Sequence, residues 1–167
     1  RIGKYSEEDM VVARYLAAAG IGYDVSRPQS CRLFFKSSVM PEHIREQIYT
    51  GDIIRPIIAL IPFAAWKNKE WPQERFVYVG KYFLVKGWDV CIMGGAQEMQ
   101  KAEEMARQTG HRCFSLAGKL SLYECGCFLK KCSLALGNDT GLSHLARACG
   151  VRTGIIYGPT TRHWGFY

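Results

Sequence analysis

The strongest constraint on this sequence is a rhythm: from Ile57 to Gly158, short apolar runs alternate with stretches of helical periodicity. "IIALI" (Ile57 to Ile61) is rich in β-branched residues and reads as a buried strand. Glu74 to Lys86 then places Phe76, Val79 and Phe83 near helical spacing and closes at Gly87. "WDVCIMGG" (Trp88 to Gly95) is the next strand, and Glu98 to Thr109 carries Met99, Ala102, Met105 and Ala106 on one helical stripe before Gly110. "RCFSL" (Arg112 to Leu116) follows as a strand, and "SLYE" (Ser121 to Glu124) is a capping-box pattern opening a helix to about Lys131. "SLALGN" (Ser133 to Asn138), a helix from Leu142 to Cys149, and "RTGIIYG" (Arg152 to Gly158) complete the series. Strands alternating with helices over short links predict an α/β fold, a doubly wound parallel sheet of Rossmann-like type with helices on both faces.

Residues 1–50 break the rhythm. Ser6 is placed to cap a helix through Ala19, "CRLFF" (Cys31 to Phe35) reads as a strand, and Pro41 to Tyr49 as a short helix opened by its proline. This segment is too small to hold a core of its own. The expected division is therefore 1–50 as the end of a preceding domain or a connection, and 51–167 as the folded unit.

Composition narrows the classes. At 167 residues and 48% apolar content the chain suffices for one filled core, and no run approaches a membrane span. No signal-peptide pattern opens it, so a cytoplasmic location is expected. Its seven cysteines form no CxxC pair, and "CGCFLKKC" (Cys125 to Cys132) has no common zinc spacing, so buried reduced thiols and no metal site are expected. The net charge of +7 is spread along the chain without an aromatic-interleaved basic motif, which argues against nucleic acid as partner.

The chemistry-bearing residues gather where strands end. "GNDTGLSHLARACG" (Gly137 to Gly150) turns from a strand into a helix whose Leu142, Leu145, Ala146 and Cys149 share the packing face. His144 points nearly the opposite way, in a first turn whose open N–H groups and positive dipole end attract anions. The competing reading is that Asp139 merely caps the helix and His144 is solvated. "IPFAAWKNKEWP" (Ile61 to Pro72) brings Lys67 and Lys69 to the end of the first strand, either for a phosphate or as a solvated basic loop. "GGAQE" (Gly94 to Glu98) ends the second, with Glu98 suited to ribose hydroxyls or simply to the helix start. "YGPTT" (Tyr157 to Thr161) ends the last. In an open parallel sheet, ligands bind at such carboxyl ends.

Taken in order, "KNKEWP", "GGAQE", "AGKLSLYE", "NDTGLSHLARACGV" and "YGPT" resemble the carboxyl-terminal domain of glycosyltransferase family 9, the lipopolysaccharide heptosyltransferases. The resemblance runs from about Ile57 to Thr160. It implies the carboxyl-terminal half of a GT-B enzyme and a nucleotide-sugar donor, ADP-heptose, with no further cofactor. Residue by residue, it implies that the backbone of Asp139, Thr140, Gly141 and Leu142 holds the donor diphosphate and that His144 joins them. It places Lys69 on a phosphate, Glu98 near the ribose and Leu120 beside the base. Where family members carry Thr or Ser, this chain has Ala64 and Ala65, which leaves only backbone N–H groups to meet phosphate there. The resemblance further implies an inverting transfer onto a lipid-linked or oligosaccharide acceptor in lipopolysaccharide biosynthesis. It implies peripheral association of the full-length enzyme with the inner face of the cytoplasmic membrane. The catalytic base is expected on an amino-terminal domain that this chain lacks. A nucleotide-binding module without transferase chemistry is the alternative.

Overall fold

The structure, a computed structural model, describes Glu42 and residues 55–158. Glu42 is helical, as the reading of Pro41 to Tyr49 expects. The helix after Ser6, the strand at Cys31 to Phe35 and the division near residue 50 lie outside the described residues.

Within them the alternation is realised element by element. The strands are β1 (Ile57–Ile61), β2 (Asp89–Ile92), β3 (Cys113–Ser115), β4 (Leu134–Asn138) and β5 (Thr153–Ile156). The helices are α1 (Gln73–Val85), α2 (Met99–Thr109), α3 (Leu122–Leu129) and α4 (Gly141–Ala148). The strands form one sheet in the order β3-β2-β1-β4-β5, with every neighbouring pair parallel. β1 coincides with its expected run, and the other four strands are shorter than theirs by one to several residues. Gly87 and Gly110 end α1 and α2 with φ of 82° and 142°, a region closed to most other residues. Ser121 and Glu124 close the expected capping box: Ser121 N–H donates to Glu124 Oε2 at 2.7 Å, and Glu124 N–H to Ser121 Oγ at 3.3 Å.

The sheet buries both faces, which is why β1 is a continuous apolar run rather than an alternating one. On one face Ile57, Ala59 and Ile61 pack with Cys125, Phe128 and Leu129 of α3 and Ala146 of α4. On the other, Ile58 and Leu60 pack with Phe76, Val77 and Leu84 of α1 and with Ala102, Met105 and Ala106 of α2. The doubly wound α/β architecture is therefore the expected one. Cys91, Cys125, Cys127 and Cys132 are buried and Cys113 and Cys149 half-buried, all outside disulfides. Burial pushes the Cys113 thiol up to about 12, and burial followed by the Glu124 charge pushes Cys125 up to about 11. Among the described residues no helix is long and apolar enough to cross a membrane, and no three or more His, Cys, Asp or Glu side chains are grouped to hold a metal.

Candidate functional site

The strand order determines where the sheet opens. From β1 the chain moves outward to β2 and β3, then returns to the other side of β1 for β4 and β5. The connections leaving β1 and β4 thus diverge at neighbouring carboxyl ends, the switch point where open α/β sheets have their crevice. Lys69 and the Asp139 corner meet there, although 70 positions separate them in the chain. Lys69 Nζ donates to Asp139 Oδ2 at 2.9 Å. His144 Nε2 lies 2.8 Å from Asp139 Oδ1. A carboxylate paired with an ammonium accepts on both oxygens, so the imidazole donates through Nε2 and its tautomer is set by Asp139. The Asp139 side chain is 11% exposed, Lys69 23% and His144 38%, so the carboxylate lies beneath two groups that reach toward solvent.

A buried residue that the sequence reading did not single out places this trio. Asn138, the last residue of β4, has no exposed surface. Its Nδ2 donates to Pro62 C=O at 2.7 Å, and its Oδ1 accepts from Trp71 N–H at 3.0 Å. One amide therefore clasps both ends of the Pro62–Trp71 connection that carries Lys69. Its own C=O accepts from Ser143 Oγ at 2.7 Å, which ties α4 to the same point. Gly137 makes this approach feasible, since a Cβ there would fall 2.5 Å from Ser143 Oγ and 2.6 Å from Ile61 Cβ. A polar residue ending the otherwise apolar "LALGN" was the available signal for Asn138. Ser143 gave none: Leu142, Leu145 and Ala146 pack on the core as expected, and Ser143 is fully buried beside them.

The capping reading of Asp139 is corrected by the helix itself. The N-cap of α4 is Thr140, in extended conformation and without a side-chain cap bond. Its buried Oγ1 has no hydrogen-bond partner among the described residues. A Cβ added to Gly141 would meet nothing within 4 Å. The space beside Gly141 is thus open, at the end of α4 where a helix leaves its first main-chain N–H groups unpaired within the helix and its dipole is positive.

The remaining expected residues are spread along the same edge. Ala64 and the exposed Ala65 follow β1, and Ala64 N–H donates to Glu70 Oε1 at 3.2 Å. Leu142 packs its side chain against the core, so its backbone alone is on offer. Glu98 turns back on its own loop, where Oε2 accepts from Gly95 N–H at 2.8 Å, so the helix-start reading holds for that oxygen. Leu120 lies against the core one residue before the Ser121 cap. Glu98 and Leu120 follow β2 and β3, which lie on the other side of β1 from β4, and among the described residues neither is bonded to the Lys69–Asp139–His144 group. At the last strand, Gly158 lies so close to the Lys67–Lys69 turn that a Cβ would fall 2.8 Å from Asn68 O, so the β1 and β5 connections do converge. The rest of "YGPTT", from Pro159, lies outside the described residues.

Known proteins share both sequence and fold with this chain. It is 26% identical over 166 residues to the lipooligosaccharide heptosyltransferase 2 of Haemophilus ducreyi, an alignment that covers 91% of this chain and 48% of the relative. The solved ADP-heptose lipopolysaccharide heptosyltransferase II of Escherichia coli superposes with a TM-score of 0.75 at 23% identity, over 96% of this chain and 52% of that one. A glycosyl transferase family 9 structure from Veillonella parvula superposes with a TM-score of 0.80 at 19% identity, over 99% of this chain and 48% of that one. The chain thus spans about half the length of these proteins. The sequence pattern of glycosyltransferase family 9 (heptosyltransferase) matches residues 3–164, nearly the whole chain, and the protein belongs to that family.

Proposed function

We propose that residues 51–167 form the donor-binding domain of an inverting glycosyltransferase that moves heptose from ADP-heptose to a lipopolysaccharide core acceptor. The observation that carries this reading is the Lys69–Asp139–His144 group beside the open first turn of α4. An ammonium has three donors, so Lys69 keeps its bond to Asp139 and still offers N–H to a phosphate. Asp139 accepts from Lys69 and His144 and so holds both in place; it does not contact the phosphate. The N–H groups of Thr140, Gly141 and Leu142 receive the diphosphate, and the unpartnered Thr140 hydroxyl adds a donor at the same corner. Glu98 Oε1 is assigned to the ribose and Leu120 to the base. When the sugar is displaced, negative charge accumulates on the leaving diphosphate, and these preorganised donors stabilise it. The general base is assigned to the family's facing domain, and the acceptor reaches the crevice from that side.

Ligand-observed binding with ADP-, UDP- and GDP-sugars tests the reading. Preferential binding of ADP-heptose, lost on removal of the diphosphate, supports it. Binding of none of the three, or binding that survives without phosphate, refutes donor recognition. Sugar transfer by the purified 167-residue chain would refute the assignment of the base elsewhere.

A further inference from the structure

The crevice carries an anion of its own on the phosphate side. Glu70 follows Lys69 directly, is half-buried, and places Oε1 3.2 Å from Ala64 N–H, six positions back. A carboxylate on a main-chain N–H at a sheet's carboxyl edge occupies the kind of donor that phosphate oxygens seek. The two ends of the loop are held independently of this bond. Asn138 already holds Pro62 C=O and Trp71 N–H, the two ends of the connection, from a fully buried position. Nor, among the described residues, does Glu70 have an ion partner: the neighbouring ammonium of Lys69 is directed to Asp139. Among the described residues, two carboxylates, Asp139 and Glu70, stand here against Lys69 and Lys67, with His144 as a further donor. This is a lean positive field for a ligand carrying a diphosphate.

We propose that Glu70 is a resident anion that competes with the donor diphosphate for the Ala64 N–H and so weakens nucleoside-diphosphate binding. This rests on the crevice being the donor site. Glu70 is a specificity-determining residue in this sense: it limits how tightly the phosphate end is held and leaves recognition to the nucleoside and the sugar. When a diphosphate arrives, the carboxylate must yield the N–H or repel the incoming charge; when the diphosphate product leaves, the carboxylate retakes the N–H. Both effects lower affinity for phosphate without touching the nucleoside.

Glu70→Gln separates charge from shape, because the amide oxygen still accepts from Ala64 N–H while the negative charge is gone. Calorimetric titration of the full chain with ADP, UDP and GDP and with the matching nucleosides reads the effect. Glu70→Gln is expected to bind the preferred nucleoside diphosphate about tenfold tighter, the size of one like-charge contact removed from a partly solvated site. Affinity for the nucleoside and the melting temperature are expected to stay the same. Glu70→Ala is expected to tighten diphosphate binding as well. If Glu70→Gln leaves diphosphate affinity unchanged or weaker, Glu70 is a loop brace and the inference fails while donor binding stands. Equal tightening of diphosphate and nucleoside overturns it too, since the effect would be one of pocket shape. If neither the natural chain nor the variants bind any of the three diphosphates, the donor-site reading fails first and this inference with it.

Discussion

Lys67 and Lys69 sit two residues apart in one basic turn, yet they differ in surroundings. Lys67 is exposed, whereas Lys69 is half-buried and reaches across the crevice to Asp139. That difference makes the residue-scale prediction sharp. Lys69→Ala is expected to weaken nucleoside-diphosphate binding by about 1–3 kcal/mol, as for a charge-assisted hydrogen bond, and Lys67→Ala by much less. His144→Ala is expected to weaken the same binding while leaving the melting temperature nearly unchanged, because its ring lies off the packing face and is 38% exposed. Calorimetry and thermal melts on the three variants check these together. Equal effects of the two lysines would reduce the turn to a diffuse basic surface, and a large stability loss in His144→Ala would make the histidine structural. The sequence identified Lys69 and His144 as candidates because lysine before "WP" and histidine in a helix's first turn are local signals. It left Asp139 open between capping the helix and serving the ligand corner. Its pairing with Lys69 depends on a residue 70 positions away, which no local pattern encodes.

Between elements, the clasp at the end of β4 is the decisive joint. Asn138 connects the β1–α1 connection to β4, and its C=O connects β4 to α4, all without solvent. Asn138→Ala leaves Trp71 N–H and Pro62 C=O unpartnered, which is expected to cost roughly 2–4 kcal/mol. Donor binding is expected to weaken as well, because the turn bearing Lys69 loses its anchor. Asn138→Asp is not expected to rescue it, since a carboxylate meets Trp71 N–H well but sets oxygen against the Pro62 oxygen. Chemical denaturation of both variants, with diphosphate titrations, provides the test; an Asn138→Ala variant of natural stability would make the clasp incidental. Element identity and order were legible because periodicity, capping and glycine stops are short-range. The boundaries moved by a residue or more where end residues leave the ladder, as Trp88 does by donating its N–H to Phe83 C=O. The helical wheel of α4 identified its core side but missed Ser143, because a hydroxyl counts as polar until a partner such as the Asn138 C=O neutralises it.

For the molecule as a whole, burial of thiols makes stability depend on alkaline pH. Cys113 and Cys125 ordinarily ionise near 9.0 but are pushed up to about 12 and about 11 in the folded protein. Their contribution is full below the unfolded value and is lost as pH rises through the folded ones, because the unfolded chain releases those protons first. Denaturant midpoints are therefore expected to fall between about pH 9 and pH 11, with a shallower slope in Cys113→Ala. An unchanged slope in that variant would assign the loss to other groups. The alternation of apolar runs with helical stripes determined the parallel, doubly wound sheet, since such segments bury their apolar surface stably only by layering. The same alternation placed the candidate site at the strands' carboxyl ends. The strand order, with β1 at the centre and β4 on its far side, brought Lys69 beside Asp139, and only the tertiary structure decided it. So too with Glu70 on Ala64 and Asn138 between two connections: each bond joins groups by through-space geometry, and local sequence carries no record of which distant partner satisfies a polar atom.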